Sequence, residues 1–249
     1  MTGKTPMHPI IVLAAGSLRN AFNDIIEAFR RDTDILVQAD YGPAGLLKER
    51  IENGAYFDLF ASANMDHPRS LQQKGIAGPV VPFARNRLCV IARRDLGLTQ
   101  ENLFDVLLDP AVKLGTSTPR ADPSGDYALE FFSKVNAVRP GTGDILTAKA
   151  RHLVGGRASP AIPAGYSAAG WMISQGEADL FISYNSNGML ALSDPNLAVV
   201  TLPDQLNPTA DYGFTLNPAA GKHTLLFGEF LLAESGAQMI LQHHGFLEK

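Results

Sequence analysis

Residues 10–17, Ile-Ile-Val-Leu-Ala-Ala-Gly-Ser, decide how the fold is read. The run is short, β-branched at its start and apolar up to Gly16, the pattern of a strand buried on both faces in a parallel sheet. Beyond Ser17, the residues Phe22, Ile25, Ile26 and Phe29 recur at i, i+3, i+4 and i+7, while Arg19, Asn23, Glu27 and Arg30 occupy other faces. That spacing predicts an amphipathic helix. A second strand is expected at Ile35-Leu36-Val37, followed by a turn from Tyr41 to Gly45. A helix from Leu46 to Asn53, closed by a left-handed Gly54, and a third strand from Asp58 to Ala63 complete the segment. Strand, helix, strand, helix, strand in so short a span implies right-handed crossovers and a doubly wound α/β layer. Ligands of such sheets bind beyond the carboxyl ends of the strands.

The theme returns downstream. A strand is expected at Leu88 to Ala92, a helix near Glu101 to Leu108 and a short strand around Val112 to Leu114. The polar turn Gly115 to Gly125 then feeds a helix carrying Tyr127, Ala128, Phe131 and Phe132. Gly155 to Pro163 reads as a loop, Ser167 to Gln175 as a helix and Asp179 to Tyr184 as a strand. Two C-terminal helices are expected at Lys222 to Ala233 and Ser235 to His243. No fixed-period repeat is present.

Composition narrows the function. With 21 Lys+Arg against 25 Asp+Glu the formal charge is −4, which argues against nucleic acid as a partner. A chain of 249 residues that is 45% hydrophobic and 18% charged can bury one large core or two smaller ones. Cys89, between Leu88 and Val90, reads as a buried structural thiol, and one cysteine builds neither a disulfide nor a thiolate metal cage. No apolar run approaches the roughly 18–20 residues that cross a bilayer, so the chain is not expected to be membrane-inserted. The start, MTGKTPMHPI, lacks the apolar core of a secretory leader, which leaves two homes open: the cytoplasm, or the periplasm if a leader was replaced. HExxH, GxSxG, Walker and GxGxxG patterns are absent. The Asp32 and Asp34 pair reads as a solvated turn and His243-His244 as surface or capping residues; no nucleophile, base and acid come together.

What recurs is a small-residue turn between strand and helix: Gly16-Ser17, Pro43-Ala44-Gly45, Pro123-Ser124-Gly125 and Gly165-Tyr166-Ser167. Helix N-termini expose free N–H groups at the positive end of the dipole, so several of them converging would hold an anion without a basic side chain. Each serine could equally cap its own helix.

At these same residues the chain resembles the periplasmic molybdate/tungstate-binding proteins, the solute receptors of ABC importers. Ala14 to Phe22 (AAGSLRNAF) is similar to that family's first ligand loop, Gly42 to Ala63 to its second loop, helix and strand, and Ala121 to Leu129 to its third. Ser174 to Tyr184 resembles the helix end and strand that deliver a ligand-contacting tyrosine, and Gln238 to Phe246 the family's usual ending.

The resemblance implies a two-lobed periplasmic-binding-protein type II-like α/β fold, each lobe a mixed sheet flanked by helices. Residues 1–84 with 208–249 would form one lobe and 85–207 the other. The crossovers would lie near 82–87 and 202–214, and the lobes would close by a hinge there over a tetrahedral oxyanion, molybdate or tungstate. Carried over by position, Gly16 and Ser17, Ala44 and Gly45, and Ser124, Tyr166 and Tyr184 would be the donors. Ser17 would supply hydroxyl and N–H, Ser124 and Tyr166 their N–H groups, and Tyr184 its phenol. An oxyanion dianion only accepts, so every useful partner is a donor. The second loop usually carries a serine where this chain has Pro43-Ala44, a loss of about 1.5–3 kcal/mol or roughly 10- to 100-fold in affinity. Asp122 would touch the ligand only in a tungstate-type site; read from its own position, it caps the following helix. The implied protein is a monomer without a cofactor or directly ligated metal, and its partner is the importer's membrane permease. Alternatives are the same fold on sulfate, phosphate or a small carboxylate, a cytoplasmic anion-sensing effector domain, and last an enzyme.

Overall fold

In the computed structural model, which describes residues 8–163 and 166–248, the apolar run is strand β1 (Ile10–Ala15), with every residue except Ile11 buried. It is the centre of a parallel trio, with β2 (Val37–Gly42) on one side and β3 (Leu59–Ser62) on the other. Such a place has no solvated face, which is why the run shows no alternation. A single 3-10 turn, Gly16–Leu18, leads into α1 (Arg19–Thr33), which buries Ala21, Phe22, Ile25 and Phe29 and ends at a left-handed Asp34, the solvated turn expected there. Two expectations shift. The second strand runs from Val37 to Gly42, not from Ile35 to Val37, because it is an edge strand: Val37, Ala39 and Tyr41 are half-buried while Gln38 and Asp40 are exposed. The next helix, α2 (Ala44–Glu52), begins two residues early, directly after Pro43, and Gly54 takes the left-handed conformation with φ +92°.

The chain divides into two compact units, the first from Met1–Arg85 and Asp211–Lys249, the second from Asn86–Ala210. Its passages between them lie within two strands, β4 (Val81–Arg93) and a later one, Thr209–Leu216. The reading of β4 as starting at Leu88 is corrected: Pro82, Arg85 and Arg87 break the apolar run, yet Phe83, Ala84 and Asn86 are buried beside them. In the first unit, α3 (Asp66–Gln73) follows β3.

The second unit adds α4 (Leu103–Leu108), β5 (Leu114–Ser117), α5 (Pro123–Val138), α6 (Thr142–Lys149), β6 (Arg151–Val154), α7 (Ala168–Ser174), β7 (Leu180–Tyr184), α8 (Asn185–Ala191) and β8 (Leu197–Thr201). Its sheet is mixed. β4 pairs antiparallel with β7 and with β8, while β5 pairs parallel with β7 and β6. β5 lies further along than Val112 to Leu114: its backbone pairs with β6 and β7 through the polar Gly115-Thr116-Ser117, and the buried Thr116 hydroxyl is bonded to His152 (Oγ1···Nδ1 3.0 Å). The buried cluster of Cys89, Ile91, Ala169, Met172, Phe181 and Leu197 fills one side of this sheet. Cys89 is the structural thiol expected, with burial pushing its pKa up to about 12.

The chain returns to the first unit as β9 (Thr209–Leu216), antiparallel to β3, then α9 (Lys222–Leu232) and α10 (Met239–His243). The last helix is shorter than Ser235 to His243 because Gly236 leaves helical geometry at φ −131°, ψ −106°. Phe29 meets Phe227 edge-on at 5.0 Å, tying α9 to α1. His244, at the end of α10, pairs with Asp24 at 2.7 Å, the surface role expected of it.

His67 in α3 makes this unit acid-sensitive. Its Nε2 has no hydrogen-bond partner among the described residues, and burial, with Lys48 nearby, lowers its pKa to about 4. The folded chain therefore binds fewer protons at this ring than the unfolded one, so its contribution is present above about pH 6.5 and disappears as pH falls toward 4. The loss amounts to roughly 3 kcal/mol. In urea unfolding at pH 7 and pH 4, His67→Gln is expected to lose less stability between the two than the wild type does. Equal losses would contradict the assignment.

Candidate functional site

In the first unit, β1 and β2 run parallel with Ala15 opposite Gly42, so the turns that leave their carboxyl ends start side by side. A Cβ on Gly16 would stand 3.9 Å from the Gly42 carbonyl oxygen. Gly16 is exposed, Ser17 half-buried, and Ala44 and Gly45 are buried in the first turn of α2. Four of the expected donors, Gly16, Ser17, Ala44 and Gly45, are thus gathered in one place. Neither turn is capped by a side chain: Ala15 and Pro43, the residues before each, make no side-chain hydrogen bond to the helix start. The first N–H groups of α2 precede Leu47, whose own N–H closes on Pro43 O at 3.0 Å. At the rim, the Arg19 guanidinium lies 4.7 Å over the Tyr41 ring, and the Tyr41 hydroxyl donates to Asn23 Oδ1 at 2.8 Å. Burial raises the Tyr41 pKa, so its phenol keeps its proton.

Ser17 Oγ is 2.9 Å from the hydroxyl of Tyr212 on β9. Sequence reasoning missed Tyr212. The stretch 202–214 is expected to be a crossover, although Tyr212 and Phe214 alternate as strand residues do; a pairing over 195 positions carries no local signal.

The second unit presents the other expected residues differently. Asp122 caps α5: its carboxylate accepts from the Ser124 N–H at 3.1 Å, so the backbone group expected to bind ligand is already engaged. Burial pushes the Asp122 carboxyl up, against the lowering by its bonds from Ser124 N–H and the Ser117 hydroxyl. Gly155, at φ +76°, lies against this carboxylate, and a Cβ there would stand 2.7 Å from Asp122 Oδ2. Tyr184 ends β7 with its side chain buried and meets Tyr127 of α5 edge-on at 6.3 Å. Tyr166 donates its N–H to Pro163 O at 3.3 Å and stacks edge-on against Trp171 at 5.0 Å. Ser167 caps α7 by accepting from Gly170 N–H at 3.0 Å, while Gly165, the start of that turn, lies outside the described residues, as does the opening segment 1–7. Among the described residues no group of three or more His, Cys, Asp or Glu could hold a metal ion, and no single helix is long and apolar enough to cross a membrane.

These uncapped and capped turns sit in a chain whose residues 10–247 match a family of known description, bacterial extracellular solute-binding protein. The chain belongs to that family. The chain is 42% identical over 238 residues to the uncharacterized protein PM1146 of Pasteurella multocida, covering 95% of this chain and 97% of that one. It is 27% identical to the molybdate-binding protein ModA of Escherichia coli, over 96% of this chain and 89% of ModA. Among solved structures, the fold matches the periplasmic molybdate-binding protein of Azotobacter vinelandii with a TM-score of 0.79 at 19% identity, covering 96% and 99% of the two chains. It also matches the sulfate-binding protein SubI of Mycobacterium tuberculosis with a TM-score of 0.75 at 17% identity, covering 97% and 87%. The relatives named here for a ligand are binding proteins, and the two solved structures share the α/β fold.

Proposed function

We propose that this solute-binding protein captures a small tetrahedral oxyanion, molybdate or tungstate first, in the periplasm and delivers it to the membrane permease of an ABC importer. The observation that carries the reading is the pairing of two uncapped donor turns at the ends of β1 and β2, where Gly16, Ser17, Ala44 and Gly45 gather without a carboxylate among them. Free N–H groups at a helix start suit a dianion that can only accept. Ser124, Tyr166 and Tyr184 are the donors proposed on the second unit, with the Ser124 N–H shared with its Asp122 cap. The E. coli relative named for molybdate supports the choice of anion.

Sulfate or phosphate is the second reading, favoured by Pro43-Ala44 in place of a loop-two hydroxyl and by the SubI fold. A thermal-shift panel of molybdate, tungstate, sulfate, phosphate and small carboxylates separates the two, since a ligand at 100 times its Kd adds about 2.7 kcal/mol. A shift with molybdate and tungstate alone is expected; a shift with sulfate or phosphate alone moves the function to the second reading. Ala44→Ser, which restores a hydroxyl to the first turn of α2, is expected to tighten molybdate binding up to roughly 100-fold by titration calorimetry. Unchanged or weaker binding would place the start of α2 away from the ligand.

A further inference from the structure

Arg19 opens α1 two residues after Ser17, and Tyr41 stands on β2 one residue before Gly42. The guanidinium, 4.7 Å over the Tyr41 ring, is therefore held where the two donor turns begin. The ring is itself anchored, because the Tyr41 hydroxyl donates to Asn23 Oδ1 at 2.8 Å. Carboxylates on the same two elements are committed elsewhere, Asp40 of β2 to Arg50 at 2.7 Å and Asp24 of α1 to His244 at 2.7 Å. Among the described residues no carboxylate pairs with Arg19 and no acceptor takes its N–H groups, and the residue is exposed. A guanidinium stays charged and offers five N–H donors, all of use to a dianion that only accepts. The turn residues Gly16, Ser17, Ala44 and Gly45 bring donors but no formal charge, and the chain as a whole is at −4.

Resting on the oxyanion reading above, we propose that Arg19 is an anion-binding residue of this site, a fixed positive charge that holds the ligand beside the neutral turns and adds to a preference for two negative charges over one. A dianion and a monoanion of one tetrahedral shape present the same four oxygens to the turns. Neutral donors favour the dianion through their dipoles, and Arg19 adds a full charge, whose attraction scales with the charge of the ligand. The Tyr41 ring keeps that charge at the rim before the ligand arrives, so little side-chain freedom is lost on binding. Arg19 thus replaces by charge what Pro43-Ala44 lacks in hydroxyl, and it gives an approaching anion a local attraction on a chain of net negative charge.

The test titrates the wild type, Arg19→Gln and Arg19→Lys calorimetrically with two pairs of tetrahedral anions matched in shape but not in charge, molybdate with perrhenate and sulfate with perchlorate, at low and at high salt. In the pair that the wild type binds, Arg19→Gln is expected to lose about tenfold in affinity for the dianion and about threefold for the monoanion. The loss on the dianion should shrink as salt screens the charge. Arg19→Lys, which keeps the charge, should recover most of it. Thermal unfolding of the free variants is expected to match the wild type, as for other exposed substitutions. Wild-type affinity in Arg19→Gln overturns the proposal. So does an equal loss on both members of a pair, or a lysine variant as weak as the glutamine one, since either makes Arg19 a prop for Tyr41 rather than a charge on the ligand. A wild-type chain that binds neither dianion overturns the oxyanion reading itself, a result distinct from these.

Discussion

Ser17→Ala is expected to weaken oxyanion binding by roughly 10- to 100-fold, with a smaller loss of stability in the free protein. The affinity loss follows from removing a hydroxyl that donates to a charged acceptor, worth about 1.5–3 kcal/mol. The free protein loses less, about 1 kcal/mol, because Ser17 is itself half-buried in a single 3-10 turn and gives up one neutral hydrogen bond, to the buried Tyr212 hydroxyl. Calorimetric titration of the wild type and the variant, paired with thermal unfolding without ligand, checks the two halves separately. A loss of stability without a loss of affinity would make Ser17 a structural residue and remove it from the site.

Gly125→Ala is expected to have the opposite profile, a large loss of stability. The start of α5 is pressed so tightly onto the end of β5 that a Cβ at Gly125 would stand 2.6 Å from both Ser117 O and Pro119 N and 2.7 Å from Thr118 C. All three are backbone atoms, which cannot swing aside as a side-chain end can. Relief requires α5 to lift from the sheet, and overpacking of this kind costs about 1–3 kcal/mol or more. Urea unfolding measures it, and a change below about 0.5 kcal/mol would show that the helix start yields. Gly125 also anchors the turn in which Asp122 holds Ser124, so any oxyanion affinity that depends on the second unit should fall with it.

The parts of the fold legible in the sequence are those where burial is uniform or strictly periodic. Ile10–Ala15 is buried on both faces and reads as an apolar run, and Phe22, Ile25 and Phe29 recur on one face of α1. The place of β2 is not legible because an edge strand alternates and has no run, and the first half of β4 is hidden because Arg85 and Arg87 flank the buried Asn86. β9 was missed for a related reason: Asp211 and Gly213 interrupt its apolar residues, and its pairing with β3 links positions far apart in the chain. In the site, the Asp122 cap could be read locally, since aspartate before Pro-Ser-Gly is a strong N-cap signal. Its consequence for the Ser124 N–H follows from the same bond but conflicts with the role that the family resemblance implies. Tyr212 could not be read at all, because what places its hydroxyl beside Ser17 is the packing of Phe83 and Phe246 around its ring.

The most direct test of the oxyanion reading is titration calorimetry of the unmodified chain with sodium molybdate, repeated with tungstate and with phosphate. One saturable site per chain for molybdate or tungstate, at least tenfold tighter than for phosphate, is the expected result. No detectable binding of either metal oxyanion at millimolar concentration would contradict it.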